Sequence, residues 1–263
     1  MKTTMGYKIW QIIYPVGIYY VVSSLVYFAL ELILGNTAET YMLRQMVCSA
    51  ATVPFILSYY QQDKKLEETV YGKTQFVWNR KQAENILLSV LAASALGIAL
   101  NNIIAMTPLI EFSSGFKQAN ASFFGGKLLY ELLGSCLIVP IAEELLFRGV
   151  VYKRLRLLFG AYPAMLLSAL LFGIVHANLV QLLYAGILGL LLAFLIEKTG
   201  YLYTAILGHI AANMMAVLRQ NTGWLDFSYE ADVAGIGFTV VMLLIGVAAV
   251  GYLVRTRRHT GSD

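Results

Sequence analysis

The chain has 263 residues, 59% of them apolar and only 13% charged, with a formal net charge of +4. That balance lies well outside the average soluble domain and leaves too few polar residues to coat one. The small basic excess sits in short clusters beside apolar runs, which fits membrane topology and excludes nucleic acid as an expected partner.

A membrane helix needs about 20 mostly apolar residues to cross a hydrocarbon core of about 30 Å. Lys2 and Lys8 precede an apolar run from Ile9 to Leu34, too long for a signal-peptide core and without an A-x-A-like cleavage site, so it is expected to stay as the first span. Further runs follow at 42–60, 85–108, 126–147, 163–178, 179–196, 202–218 and 234–254. The sequence therefore predicts an all-α fold, a polytopic transmembrane helix bundle of about eight helices. Residues 1–263 are read as a single integral membrane domain with lipid around it. The boundary near Ala177 and Asn178 separates the fifth and sixth spans, and without it the count falls to seven.

Lys and Arg near span ends mark the cytoplasmic side. The N-terminus, the stretch from Gln61 to Gln82, the cluster Lys153, Arg154 and Arg156, Lys198, and the tail residues Arg255, Arg257 and Arg258 fall on one side of an eight-helix path. Both termini are then cytoplasmic. The segments from Gly35 to Thr40, Glu111 to Asn120 and Asn221 to Asp232 fall on the other side and hold few basic residues.

Cys48 and Cys136 lie inside apolar stretches and read as small buried hydrophobes. Asn101 and Asn102 in the third span read as interhelical hydrogen-bonding glue, and Ala185, Gly189 and Ala193 in the sixth have the spacing of close helix packing. The fourth span closes on Pro140, Glu143, Glu144 and Arg148. A charged residue at a helix centre costs roughly 2.5 to 3.5 kcal/mol on insertion scales, so this cluster defaults to a functional reading. Its bland alternative is charge neutralisation at the cytoplasmic interface. Glu144 and Arg148 are four apart and can pair, whereas Glu143 points about 100° away and is the freer carboxylate. Pro140 removes a backbone donor and is expected to leave the Cys136 carbonyl without its helical partner, kinking the helix.

Phe172 and His176 stand one turn apart in the fifth span, on a stripe with Ala164 and Ser168. His209 and Asn213 stand four apart in the seventh span and can address one point. The third histidine, His259, lies in the basic tail. At 1.5 Å per residue, Glu143 is about 15 Å from Lys153, His176 about 20 Å from Pro163 and His209 about 12 Å from Tyr201, so all three can share one depth.

Glu143, assisted by His176, can activate water, while His209 and Asn213 can hold the oxyanion that forms on a peptide carbonyl. Alternatively, Glu143, His176 and His209 can ligate a divalent metal such as zinc, although the H-E-x-x-H spacing is absent. A Cys136 nucleophile is a weaker third reading.

The motifs "EELLFR" at Glu143 to Arg148, "FGIVH" at Phe172 to His176 and "HIAAN" at His209 to Asn213 resemble, in order, those of the CAAX protease and bacteriocin-processing family. The resemblance covers about residues 126–218, the expected catalytic core. It implies an intramembrane endopeptidase acting on a bond presented at the cytoplasmic leaflet, with a peptide or a membrane-associated, lipidated protein as substrate. Glu143 would be the catalytic carboxylate, Glu144 and Arg148 its support, and His176, His209 and Asn213 would position water and stabilise the oxyanion or bind metal. The implied location is a bacterial cytoplasmic membrane. A non-proteolytic membrane protein, such as a bacteriocin self-immunity factor or a transporter, is the competing reading. Oligomeric state is left open by the sequence.

Overall fold

The computed structural model describes residues 4–72 and 78–255. Lys2, Lys73, Arg257, Arg258 and His259 lie outside the described residues. The described residues form nine helices and no strand: α1 (Met5–Leu34), α2 (Ala38–Tyr71), α3 (Arg80–Ala105), α4 (Ser114–Phe123), α5 (128–159), α6 (Ala161–Ile174), α7 (Leu179–Thr199), α8 (Leu202–Thr222) and α9 (Val233–Arg255). Eight are the expected spans; α4 is a short addition.

Capping residues set the starts. Thr4, Thr37, Asn79, Ser113 and Asn178 each accept a hydrogen bond from the backbone N–H three residues on, satisfying a donor the first turn cannot pair. Gly160, at φ 80°, is the one-residue joint that lets α5 double back into α6, a conformation costly for residues with a Cβ.

Three boundaries depart from the expectation; the second span, placed at 42–60, continues helically to Tyr71. The fourth span does not end near residue 147 but continues helically to Phe159, because Lys153, Arg154 and Arg156 interrupt the apolar run without interrupting the backbone. The fifth span ends at Ile174, so His176 lies in the turn that follows it. Asn178 then caps α7, which separates the two helices where the sequence placed the boundary.

Helix α5 runs through the middle of the bundle, touching α1, α2, α6, α7 and α8. Around it, α1 pairs with α2, α6 with α7, and α3 with both α8 and α9. Among the described residues five helices, α1, α3, α7, α8 and α9, are long and apolar enough to cross a membrane. Leu25, Phe28 and Leu32 on α1 and Leu244 and Val247 on α9 point outward. An apolar exterior of this extent is unstable in water and natural in lipid; the chain is an integral membrane protein.

A polar lock ties α3, α8 and α9. Arg219 donates from Nη2 to Asn102 Oδ1 at 2.7 Å and to Ser228 at 2.8 Å, while Asn102 donates from Nδ2 to Thr239 at 2.9 Å. The guanidinium lies 4.0 Å from the centroid of the Tyr229 ring. Asn102 is thus the interhelical glue that its place in an apolar span suggests. Asn102→Leu strips a partner from a buried cation and is expected to destabilise the fold by about 1–3 kcal/mol, seen as a lower unfolding midpoint in detergent; an unchanged midpoint would refute the lock.

Candidate active site

The site is organised by local irregularity in α5. Its α-helical turns are interrupted by π-helical segments at Gly134–Ile138 and Leu145–Tyr152, on either side of Val139–Glu144. The Val139 N–H reaches back five residues to the Gly134 carbonyl, and Pro140 falls in the first turn of the next α segment, where its missing donor is least costly. A widened turn of this kind offsets the side chains after it from the positions of a regular helix. The disruption expected at Pro140 is thus absorbed as widened turns.

Glu144 faces the protein interior. Arg148 Nη1 donates to its Oε1 at 2.8 Å, and both side chains are fully buried. Arg148 also donates from Nη2 to the Gly189 carbonyl at 3.0 Å and stacks 4.3 Å from the Phe172 ring centroid. The pair expected from the spacing is present.

His209 lies between the two carboxylates. Its Nδ1 is 2.9 Å from Glu144 Oε1, and its Nε2 is 3.9 Å from Glu143 Oε2. A carboxylate only accepts, so Nδ1 carries the proton and Nε2 is the nitrogen turned toward Glu143. The 3.9 Å gap is too long for a hydrogen bond and suits a bridging oxygen. Glu143 is the more open carboxylate, at 15% exposure against 0% for Glu144.

Asn213 donates from Nδ2 to the Ser135 carbonyl at 2.7 Å, which fixes the amide and leaves its second N–H for other use. His176 Nδ1 donates to the Phe172 carbonyl at 2.8 Å. Its ring packs edge-on to Phe172, whose other neighbours include His209, with centroids 5.0 and 5.7 Å apart. Ala177 follows His176 in the left-handed region, at φ 59°, a strain of about 1–2 kcal/mol of the kind that gathers at functional sites.

Glu143, His176, His209 and Asn213 all line one cavity of about 640 Å³, which also takes in Phe172 and Tyr184. That volume suits several residues of a bound chain. Glu144 and Arg148 stand behind it. Cys136 is buried beside Ser135, at 3.6 Å between their side chains, and is not part of the wall.

Among the described residues no three His, Cys, Asp or Glu side chains stand close enough together to hold a metal ion. As placed, Glu143, His176 and His209 do not form a ligand set.

Sequence reasoning missed the Ser135 and Gly189 carbonyls, which carry no side-chain signal. It also passed over Arg44, Glu131 and Arg219, all buried, though charges inside apolar runs are a readable signal. Gly189, which the sequence marks only by its small-residue spacing, has a sharper role. A Cβ there would lie 2.7 Å from Arg148 Nη2 and 3.0 Å from Phe172 Cδ1. Arg148 is held at both ends and cannot yield, so Gly189→Ala is expected to cost about 1–3 kcal/mol, read as a lower unfolding midpoint in detergent. A wild-type midpoint in that variant would contradict this account.

These motifs have relatives. Residues 125–215 match the family described as Type II CAAX prenyl endopeptidase Rce1-like, so the resemblance carried by the three motifs extends over the segment containing them. The "Putative membrane peptidase YdiL" of Bacillus subtilis (strain 168) is 34% identical over 89 residues, covering 34% of this chain and 36% of its own. The "CAAX prenyl protease 2" of Homo sapiens is 26% identical over 159 residues, covering 49% of this chain and 48% of its own. The chain thus spans about half or less of the length of these curated relatives. No solved structure matches significantly.

Proposed function

We propose that the protein is an intramembrane endopeptidase that hydrolyses a peptide bond with a carboxylate-activated water. The observation that carries this reading is Glu143 facing His209 Nε2 at 3.9 Å on the wall of a large cavity, with His209 held from behind by Glu144 and Arg148.

Glu143 takes a proton from water as the water oxygen attacks the substrate carbonyl carbon. The oxyanion then accepts from the second Asn213 N–H. His176, with Nδ1 committed to a carbonyl, presents Nε2 as an acceptor that can orient the water. As the carbon–nitrogen bond breaks, Glu143 returns its proton to the leaving amine. Glu144 and Arg148 act by positioning His209. No step uses a metal, and a chelator arm of the assay addresses the zinc alternative.

The family match and the names of both relatives support a peptidase. The basic loops support a topology with both termini in the cytoplasm. Purified protein should cleave peptides from a library of lipidated and transmembrane sequences, and Glu143→Ala and His209→Ala should each abolish cleavage. Activity surviving both substitutions would sink the site. Loss of cleavage in chelator, restored by zinc, would replace the water mechanism with a metal-dependent one. A folded protein that cleaves nothing would favour a binding or transport role.

A further inference from the structure

Part of the cavity wall comes from outside the segment that bears the three motifs. Tyr19, Tyr20 and Ser23 of α1 line it together with Glu143, His209 and Asn213, whereas the family match covers residues 125–215. The helical period explains how an apolar span brings hydroxyls here. Ile12, Pro15 and Tyr19 are the buried residues of α1, three or four apart, and Ser23 continues that face one turn on. Tyr20 stands about 100° round the helix from Tyr19, at the edge of the buried face. Its ring packs edge-on against that of Tyr19, with centroids 5.2 Å apart.

The three hydroxyls are not equivalent. Tyr19 is buried and its phenol is hydrogen-bonded to Ser49. Ser23 Oγ is buried without a partner among the described residues, but its one-carbon stem keeps it close to the α1 backbone. Tyr20 is 37% exposed, and among the described residues nothing engages its hydroxyl. The Glu143 carboxylate is close enough to act electrostatically on both phenols. Tyr20 therefore combines the three properties a donor to the reacting atoms needs: a place on the cavity wall, proximity to Glu143 and an uncommitted O–H.

Hydrolysis has a use for that donor. Preorganised donors aimed at the oxyanion are usually the largest single contribution to acyl transfer. Helix α8 offers one, the second N–H of Asn213, whose first is held by the Ser135 carbonyl. His209 Nε2 carries no proton in the tautomer that the Glu144 contact imposes on the ring.

We infer that Tyr20 is a catalytic residue whose O–H donates a second hydrogen bond to the oxyanion, from α1, beside the one that Asn213 donates from α8. The inference rests on the peptidase reading of Glu143. The phenol keeps its proton throughout. The water proton passes to Glu143 and then to the leaving amine, and the Tyr20 hydrogen bond strengthens as charge builds on the carbonyl oxygen and relaxes when the carbon–nitrogen bond breaks.

The test uses the full chain in detergent and a peptide that the wild type cleaves. Tyr20→Phe removes the hydroxyl and keeps the ring. Its kcat should fall roughly 10²- to 10³-fold, the usual loss for one oxyanion donor, with KM and the unfolding midpoint near wild type. A phosphinate analogue of the same peptide, whose tetrahedral anionic centre copies the intermediate, should bind Tyr20→Phe more weakly by a similar factor. The uncleaved peptide should bind Glu143→Gln equally well with and without Tyr20→Phe. A wild-type kcat in Tyr20→Phe removes Tyr20 from the reaction and leaves the peptidase reading standing. A loss of activity that comes with a lower midpoint, or with equally weakened binding of the uncleaved peptide, makes Tyr20 a packing or ground-state binding residue and overturns the inference as well. A wild-type protein that cleaves no peptide overturns the peptidase reading, and this role with it.

Discussion

Replacing Glu143 by Gln is expected to lower peptide hydrolysis by about 10²- to 10⁴-fold, the usual contribution of a positioned acid or base, with the fold kept. Gln keeps the shape of the side chain and cannot take a proton. Among the described residues Glu143 has no ion pair beyond the 3.9 Å approach to His209, so little structure depends on its charge. The comparison is turnover number against unfolding midpoint in the same detergent. A midpoint near wild type with activity lost supports a chemical role. Near-normal turnover would remove Glu143 from the mechanism.

Arg148→Met should act in the opposite way, through the fold first. The guanidinium is fully buried, bonded to Glu144 and to the Gly189 carbonyl, and stacked on Phe172. Removing one member of a buried ion pair strands the other and typically costs about 3–5 kcal/mol. Glu144 Oε2 and Arg148 Nε already lack partners among the described residues, so this pair is imperfectly satisfied even when intact. The double variant Glu144→Gln with Arg148→Met removes both charges and should recover much of the stability while remaining inactive, because a neutral amide in place of the Glu144 carboxylate would hold His209 Nδ1 less firmly. Denaturation of the three proteins in detergent measures the coupling. Additive losses would mean that the pair does not act as a unit.

Much of this was readable in the sequence because lipid imposes a simple rule. Every span must be apolar and about 20 residues long, and the eight runs found that way match α1 to α3 and α5 to α9. The short α4 was missed because its polar face, with Lys117, Gln118 and Asn120, carries no span signal. The length of α5 was missed for a related reason: hydropathy reports where a helix leaves the lipid, and the hydrogen-bond ladder does not stop there. At the site, four-residue spacing was enough to pair Glu144 with Arg148 and to free Glu143. It could not show that His209 lies between the carboxylates, since that depends on how α8 packs against α5. Nor could it place His176 beyond its helix end, because the left-handed turn at Ala177 uses a residue that gives no warning.

The tight packing of α5 beyond Glu143 has a physiological consequence. Hydrolysis requires water halfway through an insulating layer, and a continuous wet path would let ions and protons run down the membrane potential. Leu146, Phe147, Val150 and Val151 are at most 1% exposed, so α5 beyond Glu143 is packed too tightly to carry a wet path across the bilayer. On the proposed hydrolase reading, cleaved fragments would leave along the route by which the peptide came in.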